Sequence, residues 1–179
     1  MDTNGNLKKY KLAIFDFDGT LISTPLPDVG KVIWKQKTGK EWPHKGWWGQ
    51  ADSLDSKIFD MPIIQMVRDS YDREVQNPNT LMVMLTGRLY KLDNLVEDIL
   101  KEKNFIFDKY RYNTGGDTLE IKLRTLNSLL IEYPNVKEIL LHDDRESHIP
   151  SFQFWGDELI KSGRIAKFDI IVVPANRHD

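Results

Sequence analysis

The sequence predicts a three-layer α/β fold, in which helices cover both faces of a parallel sheet. Short apolar runs alternate along the chain with amphipathic stretches of helical length, and most of the runs are rich in Ile, Val or Phe. Runs without a polar face are typical of strands that are buried on both sides. Right-handed crossovers would place the carboxyl ends of all strands at one edge of the sheet, where ligands bind.

The predicted elements alternate in the expected order. Strands are predicted at residues 11–18, 81–85, 137–142 and 168–173. Helices are predicted at residues 62–75, 90–103, 118–132 and 147–161. Thr118 is a typical first residue of a helix, and Gly163 is typical of the position after a helix.

The segment between the first two strands is longer than one crossover helix requires. Residues 21–79 are therefore predicted to be an insertion. A chain of 179 residues is long enough for one sizeable core and too short for two independent ones. We expect a single domain over residues 1–179 that contains this insertion.

Composition excludes several classes of function. Lys and Arg number 25 against 27 Asp and Glu, so no overall basic field favours nucleic acid or a membrane. The chain has no cysteine, which excludes disulfides, a thiolate zinc site and a cysteine nucleophile. No apolar run approaches the roughly 20 residues of a membrane span, and no export signal is evident. A cytoplasmic location without membrane partners is expected.

Two carboxylates stand where the first predicted strand ends. If the strand stays extended, the side chains of Asp16 and Asp18 leave the same face, and Gly19 then allows a sharp turn. Like charges this close need relief, which a hard divalent cation such as Mg²⁺ provides. An acidic turn without a function is the alternative.

Two later strands also end in polar residues. The sequence TGR at residues 86–88 offers a hydroxyl and an amide for an oxyanion, next to the start of a helix. Asp143 and Asp144 follow the third strand, and Lys122 lies in the helix before it. Each signal alone is equally typical of a turn, a helix cap or a solvated lysine.

Together and in this order, these four pieces resemble the motifs of the haloacid dehalogenase (HAD) superfamily of phosphohydrolases. The first motif is DFDGT at residues 16–20, the second contains Thr86, the third is Lys122 and the fourth is the pair Asp143 and Asp144. The resemblance spans nearly the whole chain. It implies a Rossmann-like sheet with a small cap at residues 21–79.

The resemblance also implies a mechanism. Asp16 would attack phosphorus and form an aspartyl phosphate, and Asp18 would be the general acid and base. Mg²⁺ would be held by Asp16, the Asp18 backbone carbonyl and one fourth-motif acid, with Asp144 preferred to Asp143. The residues implied to bind phosphoryl oxygens are Gly19, Thr20, Thr86, Gly87, Arg88 and Lys122.

A closer resemblance is to the HAD domain of the Swiss Army Knife RNA repair proteins. It rests on the stretches STPLP, GWWGQADSL, LTGR and HDDRESH followed by SFQFW, with Trp47, Trp48, Arg145 and His148 at characteristic places. It implies that the substrate is a terminal phosphate on RNA or DNA, or a nucleotide.

The predicted insertion holds four of the five tryptophans, interleaved with cations such as Lys45. Rings that stack on bases and lysines that pair with phosphates suit a single-stranded nucleic acid. Tryptophans that form the core of the insertion itself, with the lysines in water, are the alternative.

Three functions remain open from the sequence. A Mg²⁺-dependent phosphatase of nucleic-acid ends or nucleotides leads. A phosphatase of small metabolites is second, because the fold does not choose the substrate. A binding module without turnover is third, although such a module has no need of both Asp16 and Asp18. The oligomeric state and the end of the polynucleotide are not determined.

Overall fold

A computed structural model describes residues 8–175 and contains a parallel sheet. Its strands are β1 (Lys11–Phe15), β2 (Thr80–Leu89), β3 (Lys109–Asn113), β4 (Glu138–Asp143) and β5 (Lys167–Val172). Within the described residues the order is β3-β2-β1-β4-β5, and every neighbouring pair is parallel. The predicted α/β class with a Rossmann-like sheet is confirmed.

The helices lie between the strands. They are α1 (Pro27–Thr38), α2 (Gln65–Glu74), α3 (Asp93–Glu102), α4 (Thr118–Glu132) and α5 (Ile149–Lys161). The bounds of α4 are those predicted, and the Asp117 side chain caps it by accepting a 3.0 Å hydrogen bond from the Glu120 amide. Two of the other predicted helices begin later because a 3₁₀ turn precedes them, at Tyr90–Leu92 and Glu146–His148.

Two strand predictions need correction. Strand β3 was not predicted, because its sequence KYRYN is polar; it is an edge strand, where charged side chains reach water. Strand β1 ends at Phe15 and does not continue to Asp18. The chain turns at Gly19, whose φ is 68°. Asp16 and Asp18 therefore do not lie on the same face of an extended strand, contrary to the prediction from the sequence.

The sheet separates two apolar layers. Alternate residues of β1 point to opposite sides, so Leu12 and Ile14 contact the layer under α4 and α5. Ala13 and Phe15 contact the other layer, which contains side chains of α2 and α3. None of the helices among residues 8–175 is both long and apolar enough to span a bilayer.

The predicted insertion contributes its aromatic side chains to the second layer. Trp47 is 4% exposed, and its ring packs against Trp42 and Phe59 at centroid distances of 4.6 and 5.6 Å. Trp34 meets Trp42 edge-on at 5.0 Å. These three tryptophans therefore pack on each other, as the alternative interpretation holds. That residues 21–79 act as a cap stays a prediction.

Replacing Gly30 tests the packing of Trp47. A Cβ at Gly30 would lie 2.1 Å from Trp47 Cη2, so Gly30→Ala should lower the free energy of unfolding by about 1–3 kcal/mol. This loss should exceed the gain in helix propensity, which is at most about 1 kcal/mol. Urea unfolding measures the change. Gly46→Ala is the matched control, since a Cβ there meets no described atom within 4 Å. Unchanged stability in Gly30→Ala would contradict this packing.

Candidate active site

A cavity of about 310 Å³ opens at the carboxyl ends of β1, β2 and β4, beside the start of α4. This is the sheet edge at which the sequence predicted a site. The residues that line it are Asp16, Asp18, Leu26, Trp48, Gly87, Arg88, Thr118, Lys122, Asp143, Asp144 and Arg145.

Lys122 lies at the floor of the site and is 4% exposed. Its Nζ donates hydrogen bonds to Asp16 Oδ1 at 3.0 Å and to Asp143 Oδ2 at 2.7 Å. Burial alone would lower the pKa of Lys122, but the two carboxylates outweigh it and raise the pKa above its ordinary value. The lysine is therefore a permanent, buried positive charge.

Asp16 is the carboxylate at the end of β1 and is also buried. Thr20 Oγ1 donates a 3.1 Å hydrogen bond to its Oδ2, while Lys122 contacts its Oδ1. Burial raises the pKa of Asp16 to about 6; the charge of Lys122 opposes the rise, and Asp143 and Asp18 add to it. The raised pKa means that Asp16 takes up a proton just below neutral pH rather than near its ordinary value.

The fourth-motif acids complete a cluster of oxygen ligands. Asp16, Asp143 and Asp144 each offer a carboxylate oxygen, and these oxygens lie within 4.8 Å of one another. Asp143 is already engaged at both oxygens, by Lys122 and by the Arg145 amide at 2.9 Å. Three carboxylates so close repel one another, and an all-oxygen donor set suits Mg²⁺. The residues fit a hard divalent cation.

A buried histidine supports the acids from below. His142 precedes Asp143, and its Nδ1 lies 2.8 Å from the Ile14 carbonyl oxygen. A carbonyl can only accept, so Nδ1 carries the proton and Nε2 accepts from the Ser70 hydroxyl at 2.7 Å. Burial lowers the pKa of His142 to about 4, so it stays neutral. It joins β4 to β1 and α2 directly beneath the site.

The second-motif residues lie at the end of β2, as predicted. Thr86 is buried, and its Oγ1 accepts a 3.0 Å hydrogen bond from the Arg88 amide, which leaves its O–H available to donate. A Cβ at Gly87 would lie 2.7 Å from Thr118 Cγ2. Glycine is therefore what allows β2 to approach the start of α4 here.

Arg88 is paired with a carboxylate at the site. It is 2% exposed, and its guanidinium forms an ion pair with Asp18, with Nη2 2.7 Å from Oδ1. Arg88 also lines the cavity, so a contact between its guanidinium and a phosphate stays a prediction; in this structure its described charged partner is the Asp18 carboxylate. The Asp18 carboxylate faces Arg88, so Asp18 could join the metal site only through its backbone carbonyl, as the resemblance implies.

Residues 29–179 match the sequence model of a family described as HAD domain family 1 in Swiss Army Knife RNA repair proteins. The chain belongs to this family. The match confirms the resemblance drawn from the motifs. It begins after Asp16 and Asp18, so the assignment of the first HAD motif depends on its position in the site.

Two further proteins are similar to this HAD domain. An uncharacterized protein of Saccharomyces cerevisiae is 25% identical over an alignment 170 residues long, which covers 80% of this chain and 36% of that protein. The chain thus spans about a third of the length of that relative. The HAD domain of the effector protein Lem4 from Legionella pneumophila is 17% identical, with a TM-score of 0.50 over 94% of this chain and 88% of that chain. This likeness supports the fold alone.

The predicted substrate residues of the HAD domain divide into two groups. Trp48 and Arg145 line the cavity. Among the described residues, Lys45, Trp47 and His148 lie outside its lining. Trp47 is buried in the second apolar layer, the one that contains side chains of α2 and α3, so the prediction that it contacts substrate is corrected. His148 Nε2 lies 3.5 Å from Arg145 Nη1, and burial, with help from the Arg145 charge, lowers the pKa of His148.

Two buried hydroxyls near the site were not predicted from the sequence. Thr24 and Ser53 are 1% and 0% exposed, and both contact the Arg88–Asp18 pair. Both lie in stretches that were noted for the family resemblance, but a serine or threonine in a loop carries no local signal of burial. Only long-range packing identifies their partners.

We expect Mg²⁺ to bind more tightly as the pH rises from 5 to 7. The raised pKa of Asp16, about 6, means that below this pH the cation must displace a proton. The apparent dissociation constant should therefore increase about tenfold for each pH unit below 6 and level off above 7. Titration calorimetry measures it. Asp144→Asn should weaken binding at every pH; a pH-independent affinity in the wild type would contradict the expectation.

Proposed function

We propose that this HAD domain is a Mg²⁺-dependent phosphatase that acts on terminal phosphates of nucleic acids or on nucleotides. The observation that carries the proposal is the buried contact of Lys122 with Asp16 and Asp143. A fixed cation beside a carboxylate at a strand end is what phosphoryl transfer to that carboxylate needs, because both reacting groups are anions.

Asp16 is the nucleophile in this proposal. One of its oxygens forms a bond to phosphorus while the bond to the leaving oxygen breaks. Lys122 and Thr20 orient the carboxylate, and Lys122 also neutralises part of the charge of the incoming phosphate. Asp16 and Asp144 would hold Mg²⁺, whose charge would shield the nucleophile from the substrate anion.

Asp18 transfers the protons. Because Asp18 is ion-paired with Arg88, it begins the cycle as a carboxylate, and the first proton comes from a monoanionic phosphate ester and passes through Asp18 to the leaving oxygen. In the second step Asp18 takes a proton from the water that attacks phosphorus and frees Asp16, and returns it to the departing phosphate.

Gly87 and Lys122 line the cavity, where the Gly87 amide and the Lys122 ammonium group would contact the phosphoryl oxygens. In this proposal the buried hydroxyl of the neighbouring Thr86 also donates to one of these oxygens. The positive end of α4 begins at the same cavity, at Thr118.

The charges at the cavity rim favour a substrate with more than one anionic group. Lys122 and Arg88 are each paired with carboxylates. Arg145 is exposed, and the side-chain contact described for it is with His148. A phosphodiester next to the terminal phosphate could pair with this guanidinium. Such a substrate is consistent with the family description, which names RNA repair proteins.

A phosphatase of small metabolites is the second candidate. The cavity of about 310 Å³ is at the lower end of the range for small-molecule sites. A small metabolite would fit in this cavity without needing a protein surface that binds a polynucleotide.

A substrate panel tests the proposed function. We expect Mg²⁺-dependent phosphate release from p-nitrophenyl phosphate and from 3'- or 5'-phosphorylated oligonucleotides, and no release with EDTA. Asp16→Asn should reduce release to background, since the nucleophile is lost. Asp169→Asn, an exposed change on β5, is the matched control and should retain activity.

Two outcomes of the panel would change the assignment. Release from nucleotides or metabolites but not from oligonucleotides would remove nucleic-acid ends as substrates. Binding of phosphorylated oligonucleotides without release of phosphate would favour a binding module.

Arg145→Ala tests the second anion contact. The variant should raise KM for phosphorylated oligonucleotides about five- to tenfold, because a charge-assisted hydrogen bond is lost, and leave KM for p-nitrophenyl phosphate unchanged. Lys161→Ala is the control, since it removes an exposed cation at the end of α5, outside the cavity lining. Steady-state kinetics at low and physiological salt measure both variants. An equal change for the two substrates would argue against a second phosphate at Arg145.

A further inference from the structure

We infer that Arg88 is a positioning residue, which fixes the Asp18 carboxylate and ties it to residues 48–53 of the insertion. The role of Asp18 in proton transfer rests on the proposed function. The tie itself is a property of the fold and joins residues that are 70 positions apart in sequence.

One side of the guanidinium grips Asp18. Nε lies 2.9 Å from Asp18 Oδ2 and 3.2 Å from Oδ1, and Nη2 lies 2.7 Å from Oδ1. Thr24 Oγ1 donates a further hydrogen bond of 2.7 Å to Oδ1. This fork-like contact sets the plane of the carboxylate as well as its place.

The other side of the guanidinium holds the insertion. Nη1 donates to the Trp48 carbonyl oxygen at 2.8 Å and to Ser53 Oγ at 2.7 Å. The guanidinium carbon lies 5.0 Å from the centroid of the Trp48 ring. Ser53 Oγ in turn donates to the Gln50 carbonyl oxygen at 2.7 Å. The same residue therefore contacts the proposed acid and a segment that borders the cavity.

Because Arg88 is buried, its hydrogen-bond partners cannot be replaced by water. A guanidinium that is 2% exposed must keep its donors paired, since an unpaired buried charge is costly. Any displacement of residues 48–53 changes the partners of Nη1, and therefore the orientation of the group that holds Asp18. Because Trp48 also lines the cavity, a substrate that contacts Trp48 acts on the same linkage.

Esters with different leaving groups can test whether Arg88 positions the proton donor Asp18. An alkyl phosphate needs a well-placed proton donor when its bond to phosphorus breaks, whereas p-nitrophenolate departs without much help. Arg88→Lys keeps the charge but loses the fork. We expect it to lower kcat/KM for p-nitrophenyl phosphate a few-fold, and for an alkyl phosphate at least about tenfold more. Equal losses for the two esters would overturn the inference.

Three further variants complete the kinetic test. Ser53→Ala should change the ratio of the two kcat/KM values in the same direction, by less. Adding Arg88→Lys to Asp18→Asn should change the ratio little, because the group that Arg88 positions is already lost. Arg68→Lys is the matched control: Arg68 on α2 also pairs with an aspartate and donates to carbonyl oxygens, outside the cavity lining of the described chain. It should leave the ratio unchanged, and a shift as large as that of Arg88→Lys would count against the inference.

A measurement without turnover separates this inference from the proposed function. A wild-type chain that hydrolyses neither ester would remove the proposed function. The link from Asp18 through Arg88 to residues 48–53 is then tested without turnover, by measuring the exchange rate of the Arg88 Nε–H with water by ¹⁵N NMR. We expect slow exchange in the wild type and faster exchange in both Asp18→Asn and Ser53→Ala. Rates equal to that of the wild type in these variants would overturn it.

Discussion

The site depends on one buried ammonium group between two carboxylates. Lys122 comes from α4, Asp16 from the end of β1 and Asp143 from the end of β4, with sequence separations of 106 and 21 residues. A lysine is buried at this depth only where anions compensate it, so the three elements have to meet at this point. The contact therefore constrains the fold, and under the proposed function it would also place a positive charge beside the substrate phosphate.

Three acids lie close together at the site. Asp144 lies beside Asp16 and Asp143, and burial keeps the pKa of Asp16 raised to about 6. A proton or a divalent cation can supply additional positive charge, and under the proposed function that cation would be Mg²⁺. The burial that raises the pKa of Asp16 would then make binding of the cation depend on pH.

The two buried cations contribute different geometry. Lys122 acts as a point charge that two carboxylates share, whereas Arg88 presents a planar fork that fixes one carboxylate and also reaches the insertion. Two contacts hold the insertion against the sheet: the guanidinium of Arg88, and Trp47, which lies in the apolar layer that contains side chains of α2 and α3. Of the adjacent pair, Trp48 is left to line the cavity. Substrate choice in this HAD domain is therefore expected to depend on few residues, chiefly Trp48 and Arg145.

The sequence by itself determined the parallel sheet, the bounds of α4 and the placement of Asp16, Thr86 and Asp144 at the carboxyl edge of the sheet, because apolar periodicity and helix caps are local signals. Tertiary structure alone decided the partner of Arg88, the burial of Trp47 and the presence of β3. A guanidinium can pair with a phosphate or with a carboxylate. A tryptophan can stack on a nucleic-acid base or pack in the protein core. A polar run can form a loop or an edge strand. Contacts between residues far apart in sequence settle each choice, and no local pattern encodes them.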